Sequence, residues 1–297
     1  MTKLFLTGCA SFVGRELIRV CDQRGIDVSG IDLLAQDRAG FHAADLRDAA
    51  IADLIPAGVD AVVHLGALSR DPDCRNNAAR CFDVNVMGSL NVMAAAQARG
   101  AKQMIFASSE WVYDRFVGDT EKTEDDPIDA LALTSEYALS KLVAEANLRQ
   151  KAQHGFCAAT ILRFGIIYGP RAANWSAFEA MVNAVATQDE VKVGSLRTAR
   201  RFIHVTDIAE AMLAAVGRSG TETFNIQGPT LLELGSIIDE AKRQIGRNPR
   251  VTETVPDAPN RRPVSAAKAA SQLGWRARIG LAEGVASVLP SILKAAA

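Results

Sequence analysis

Short apolar runs, each followed by a turn or a helix-like stretch, set the rhythm of the first half of the chain. Lys3 to Thr7 has the composition of a buried strand and runs directly into Gly8-Cys9-Ala10-Ser11-Phe12-Val13-Gly14. Apolar positions then recur at helical spacing to about Gln23, and Gly25 to Asp32 reads as a second strand ending in a carboxylate. Phe41 to Leu46, Asp60 to Ala67, Met104 to Ser108 and Ala158 to Arg163 read as further strands. A long helix is expected over Asn76 to Ala98, and another around Tyr137. Strands alternating with helices predict an α/β fold with a parallel sheet. Beyond about residue 170 the alternation continues. Helices are expected near Trp175 to Ala186, Thr206 to Val216 and Leu231 to Ile245, strands at Val191 to Val193 and Thr223 to Ile226, and a proline-rich loop from Val255 to Pro263.

The first unit of this pattern carries chemistry. A strand, a glycine turn, a helix and a second strand ending in Asp form a dinucleotide-binding βαβ unit. Glycines let the backbone approach a pyrophosphate, and a helix N-terminus offers N–H groups and a positive dipole end. Gly8 and Gly14 supply the turn, and Ser11 stands where a third glycine is usual. Asp32 is placed to accept hydrogen bonds from an adenosine ribose, and its charge would repel a 2′-phosphate, which favours NAD over NADP. Asp45 is open to two roles, contacting an adenine or capping the helix that follows. Gly66 and Ala67 suit a place where cofactor lies against backbone, while His64 reads as a packed strand residue.

The stretch Leu133 to Glu145 is rich in helix formers, with Leu139, Leu142 and Val143 as its apolar stripe. Tyr137 and Lys141 then share one helix face. An ammonium beside a phenol favours the phenolate and lowers the tyrosine pKa, which makes a general acid/base. Composition removes other chemistries. A net charge of −1 without a long basic cluster argues against nucleic acid. The five cysteines form no CxxC and read as reduced thiols, and the four scattered histidines predict no metal site. Leu4-Phe5-Leu6 is too short for a signal core, and no run approaches the ~20 apolar residues of a membrane span. A cytoplasmic protein is expected.

Taken in order, several short motifs line up. They are Thr7-Gly8-x-x-Ser11-Phe12-Val13-Gly14, Asp32, Asp45-Leu46, His64-Leu65-Gly66-Ala67, Asn85-Val86-x-Gly88, Ser108-Ser109-x-x-Val112-Tyr113 and Tyr137-x-x-x-Lys141. Leu162-Arg163, Tyr168-Gly169-Pro170-Arg171, Arg201-Phe202-Ile203-His204-Val205-x-Asp207 and Leu273-Gly274-Trp275 follow. From residue 3 to about 285 this set resembles the extended short-chain dehydrogenases/reductases of the NAD-dependent epimerase/dehydratase family. The resemblance implies a Rossmann-type doubly wound parallel sheet in residues 1–170, with a later return near 200–220. Residues 171–297 would form mainly a smaller C-terminal α/β substrate-binding lobe. It implies NAD held by Gly8, Ser11, Phe12, Val13, Gly14, Asp32, Asp45, Leu46, Leu65, Gly66, Ala67 and Asn85, together with Tyr137 and Lys141. Ser109, Tyr137 and Lys141 would be catalytic, and a homodimer through long helices is expected.

Substrate class follows from the same resemblance. Arg200 stands where nucleotide-sugar enzymes clamp a diphosphate, and Arg261 or Arg262 is expected as a second clamp. Arg171, Ser109, Glu110 and Trp111 complete the expected substrate contacts. Family 4,6-dehydratases carry a carboxylate base two residues after the Ser/Thr; here that place is Trp111, which cannot accept a proton. Ile166 replaces an Asn that the family usually has two residues before the Tyr of Tyr-Gly-Pro. A UDP-sugar-type 4-epimerase is the leading expectation. An NAD-dependent dehydrogenase or reductase of a sugar, sugar acid or other hydroxy-ketone is the alternative, and a dehydratase or a non-catalytic NAD-binding regulator is less favoured.

Overall fold

Seven strands pair in the order Thr221–Ile226, Ala158–Phe164, Gln103–Ser109, Ala61–His64, Lys3–Thr7, Asp27–Asp32 and Phe41–Ala43 in the computed structural model, which describes residues 2–34, 36–114 and 116–296. The five strands from Gln103–Ser109 to Phe41–Ala43 run parallel. Bonds from Ala159 to Gly220 and from Gly165 to Ile226 extend the same sense to the last strand. This is the doubly wound Rossmann-type sheet. The order of connection reverses between Lys3–Thr7 and Ala61–His64, and the carboxyl ends of these two strands define the switch point where such sheets bind ligands.

The central strands are buried along their length, as strands covered on both faces must be. Phe5, Ile31, Val62, Met104, Phe106 and Ile161 form the centre of one core. The first helix, Phe12–Gln23, buries Leu17, Ile18, Val20 and Cys21 and begins at Ser11, whose hydroxyl accepts the Gly14 amide at 3.0 Å. The helix Glu136–Gln153 begins in the same way at Ser135, whose hydroxyl accepts the Ala138 amide.

The long helix expected over Asn76 to Ala98 is interrupted. Ala78–Phe82 and Gly88–Ala98 are α-helical, but Asp83–Met87 winds as a π turn. The extra residue in that turn changes the direction in which Asn85 points, and such bulges concentrate at functional sites.

Contacts divide the chain into two units. The first comprises Met1–Arg115, Glu124–Arg163 and Ala209–Phe224. The second comprises Phe116–Thr123, Phe164–Ile208 and Asn225–Ala297. In the second unit Glu190–Val193 pairs with Arg250–Glu253, and Ala199–Arg200 lies between Leu232–Glu233 and Arg261–Arg262. Its separate core joins Tyr168, Phe178, Phe202, Ile237, Val285 and Ile292, with the Tyr168 and Phe178 rings stacked at 3.8 Å. Among the described residues no helix is long and apolar enough to cross a membrane.

Candidate active site

Two tight turns meet at the switch point. Gly8 adopts φ +74°, in the left-handed region that favours glycine, and its amide donates to the Ile31 carbonyl at 2.8 Å. A Cβ on Gly8 would stand 2.7 Å from the Gly66 amide nitrogen, so the turns after the first and fourth strands touch backbone to backbone. Ser11 caps the helix that starts at Phe12 and Val13, which accounts for a hydroxyl residue in a glycine position. Asp32 ties its strand to this turn. Its Oδ2 accepts the Ala10 amide at 2.9 Å and its Oδ1 the Leu34 amide at 3.2 Å. Leu46 is buried and fills the space beside Gly66 and Gly88; a Cβ on Gly66 would meet its Cδ1 at 2.8 Å.

The Gly66 turn is held by a polar relay through His64, which the sequence predicts only as a packed strand residue. The Thr7 hydroxyl accepts the Gly66 amide at 3.1 Å and meets His64 Nδ1 at 2.6 Å. On the other side His64 Nε2 lies 2.8 Å from the Ser89 hydroxyl, which itself donates to the Asn85 carbonyl at 2.5 Å. Ser89 spends its proton on that carbonyl, so it accepts from Nε2–H, and Nδ1 is left to accept from Thr7. Burial pulls the His64 pKa down to about 3, in keeping with this neutral imidazole. Leu65 continues the turn by donating its backbone N–H to the Thr7 carbonyl at 3.1 Å, and Ala67 follows half-buried. Asn85, itself buried, clasps the next residue: its Oδ1 accepts the Leu68 amide at 2.8 Å, and its Nδ2 donates to the Leu68 carbonyl at 3.0 Å and to Ser140 at 2.9 Å.

Of the two roles open to Asp45, the structure removes the helix cap. The helix Ile51–Leu54 starts at Ala50 without a side-chain cap, so Asp45 does not cap it. Its carboxylate instead takes Arg47 Nε at 2.9 Å and a terminal nitrogen at 2.6 Å, which holds its pKa below the usual carboxylate range. Two residues of separation let the carboxylate bond the backbone and the side chain of Arg47 together.

Ser109 ends its strand and opens a short turn, Glu110–Val112, by accepting the Trp111 amide at 3.2 Å. Glu110 is fully buried, and Trp111 is half-buried with its ring edge-on to Tyr137 at 6.4 Å and 74°. Cys74, Cys81 and Leu68 complete an apolar nest around the Tyr137 ring. Burial raises the Tyr137 pKa to about 12, against a hydrogen bond from Ser109 that pulls it down. The lowering expected from Lys141 is therefore overturned in the protein alone, because the phenol sits in an apolar nest. Lys141 donates to the Ala107 carbonyl at 2.8 Å and lies over the Phe106 ring at 5.0 Å. Burial lowers its own pKa to about 8, with Cys74, Cys81 and Glu145 opposing. Ser109, Trp111, Tyr137 and Lys141 thus gather at the ends of neighbouring elements of the first unit.

In the second unit the expected anion-binding arginines are engaged within the protein. Arg171 donates to Glu179 at 2.7 Å and to the Ile167 carbonyl at 3.2 Å, bracing the turn before the helix Ala177–Thr187. Arg200 donates to the carbonyls of Ala199 and Asn260. Arg261 bonds Asp119 and Glu233, each at 2.6 Å. Register pairs Arg200 with Arg262, and Arg261 with Ala199. Paired residues share a sheet face and neighbours alternate, so the partner of Arg200 is Arg262 rather than Arg261.

The family profile described as "NAD dependent epimerase/dehydratase family" matches residues 4–226. The chain belongs to this family of enzymes. It is 27% identical over 96% of its length to a putative UDP-glucose 4-epimerase of Methanocaldococcus jannaschii, 97% of which is covered. It is 24% identical over 95% of its length to UDP-glucuronic acid decarboxylase 1 of Arabidopsis thaliana, 68% of which is covered. Its fold matches MoeE5 in complex with UDP-glucose and NAD with a TM-score of 0.87, at 23% identity, covering 99% of this chain and 100% of that one. It also matches the UDP-glucose 4-epimerase of Thermus thermophilus in complex with NAD, with a TM-score of 0.83, 23% identity, and 98% and 99% covered.

Proposed function

We propose that the protein is an NAD-dependent nucleotide-sugar epimerase acting at the sugar 4-position, with Tyr137 as its acid/base. The family is NAD-dependent, and the residues at the switch point fit a dinucleotide. The Gly8 and Gly66 turns pack backbone to backbone at the switch point, the helix capped by Ser11 offers its positive end to a pyrophosphate, and Asp32 stands at the strand end that reads a ribose. NAD, when bound, supplies the site that takes up and returns hydride.

The chain's own residues handle the proton. With the nicotinamide's positive charge and the Lys141 ammonium favouring its phenolate, Tyr137 would accept the proton of the 4-hydroxyl at its phenolic oxygen as that carbon is oxidised, and give it back when the carbon is reduced. Ser109, whose hydroxyl bonds that phenol in the protein alone, would turn its one proton to the substrate oxygen when substrate is bound. Lys141, anchored at Ala107, keeps a positive charge beside the exchange. Turning the oxidised sugar and reducing it on the other face needs no further acid or base.

The observation that carries this reading is Trp111 edge-on to Tyr137, where a dehydratase would need a base. An indole ring takes no proton, which argues against removal of a C5 proton and favours chemistry confined to oxidation and reduction at one carbon. For the phosphates of a nucleotide sugar, Arg200 and Arg262 share a sheet face in the second unit. The kinship with a putative UDP-glucose 4-epimerase, over nearly the whole of both chains, supports the substrate class.

The test is product analysis with the NAD-loaded protein and UDP-glucose, UDP-galactose and UDP-glucuronic acid. Interconversion of the first two without accumulating NADH is expected. Release of carbon dioxide from UDP-glucuronic acid would assign a decarboxylase instead, and stoichiometric NADH a dehydrogenase.

A further inference from the structure

Glu145 lies one helical turn beyond Lys141, as Lys141 lies one turn beyond Tyr137, so the three share a face of Glu136–Gln153. Glu145 is 1% exposed, and its carboxylate is surrounded. Oε1 accepts the Ser108 hydroxyl at 2.5 Å and Arg163 Nε at 3.0 Å, and Oε2 accepts the second Arg163 nitrogen at 2.7 Å. Arg163, on the neighbouring strand Ala158–Phe164 and 3% exposed, carries the network onward. Its remaining terminal nitrogen donates to the Tyr113 hydroxyl at 2.7 Å, and its guanidinium lies over the Tyr113 ring at 4.9 Å.

Ser108 and Tyr113 are the residues on either side of Ser109, Glu110, Trp111 and Val112. The network therefore holds both ends of the segment that carries the proposed reactive groups. A buried ion pair is a poor way to gain stability, since desolvation of its charges offsets their attraction, whereas breaking it costs several kcal/mol. What a bidentate pair does supply is fixed geometry.

We propose that the Glu145–Arg163 pair is a positioning device. It clamps residues 108–113 at both ends to the helix of Tyr137 and Lys141, and so fixes the Ser109 hydroxyl against the Tyr137 phenol. The proposal rests on the reading of Ser109, Tyr137 and Lys141 as the reactive set. Its electrostatic corollary concerns Lys141, which is faced by the thiols of Cys74 and Cys81, by the carboxylate of Glu145 and by the neutral His64. Of these Glu145 carries the charge that favours the ammonium.

Glu145→Gln and Ser108→Ala, each made in the NAD-loaded full chain, test the clamp by hydrogen–deuterium exchange and by kinetics. Glu145→Gln is expected to raise exchange across 108–113 by about tenfold while Ala61–His64 stays within about twofold of the parent, with a smaller local rise in Ser108→Ala. It should lower kcat by about 100-fold with KM nearly unchanged, the cost of a misplacement by about an ångström. The alkaline limb of the kcat profile should move to lower pH as Lys141 loses its favourable neighbour. Exchange at 108–113 equal to the parent, or rising by the same factor in Ala61–His64, overturns the proposal. Should Glu145→Gln fail to fold, Ser108→Ala decides by the same local exchange. Exchange needs no substrate, so a parent protein inactive on nucleotide sugars would remove the functional reading and leave the clamp still testable.

Discussion

Lys141 donates to the carbonyl of Ala107 at 2.8 Å, so the ammonium is anchored to the central sheet. Its pKa is lowered to about 8 by burial. The unfolded chain would hold this proton to about 10.5, so between those values the unfolded state binds more protons and stability rises with pH. Lys141→Met should abolish that increment. Urea unfolding at pH 7.5 and 9.5 should give a larger gain for the parent than for the variant, while the variant turns over at least about 100-fold more slowly. Equal pH gains in both proteins would refute the assignment.

Tyr137→Phe removes only the phenolic oxygen and keeps the edge contact with Trp111. Turnover should fall by about 10³-fold or more, within the range for loss of a general acid/base, with NAD retained and the melting temperature nearly unchanged. Residual activity within tenfold of the parent would move the proton transfer to another group.

The neutral imidazole of His64 gives an acid signature. Its pKa is about 3 in the folded chain against 6.5 unfolded, so its contribution to stability is present above pH 6.5 and lost as pH falls towards 3. His64→Asn should flatten the loss of stability between pH 6 and 4, measured by chemical denaturation, and should weaken NAD binding through the Gly66 turn. An unchanged acid slope would contradict the relay.

Ser11→Ala should cost about 1 kcal/mol through loss of the cap on Gly14, and Ser11→Gly only a few tenths. Asp32→Ser should loosen the Ala10 amide and raise the affinity for NADP relative to NAD, read by fluorescence titration of the reduced cofactors. A preference unmoved by that substitution would place the ribose contact elsewhere.

Legibility in the sequence followed locality. The strand, the glycine turn, Ser11 and Asp32 lie within one βαβ unit, and their relation follows from period and turn chemistry. Tyr137 and Lys141 were readable as a pair because one helix turn joins them. What burial does to their pKa values was not, since it depends on Cys74, Cys81 and Trp111 arriving from other elements. The π turn at Asp83–Met87 has the composition of an ordinary helix, so nothing local announces it. Which of Arg261 and Arg262 shares the face of Arg200 depends on strand register, which adjacent arginines in a loop-like sequence leave open. Glu145 and Arg163 were visible as residues, but their clamp joins a helix, a strand and a turn.

The most direct measurement is the fate of the hydrogen at the sugar's 4-position. UDP-glucose deuterated at C4, incubated with the NAD-loaded protein, should yield UDP-galactose with deuterium still at C4, and Tyr137→Phe should yield almost none. Deuterium lost from the product, accumulating in free reduced cofactor, or no epimer at all from the parent would contradict the account.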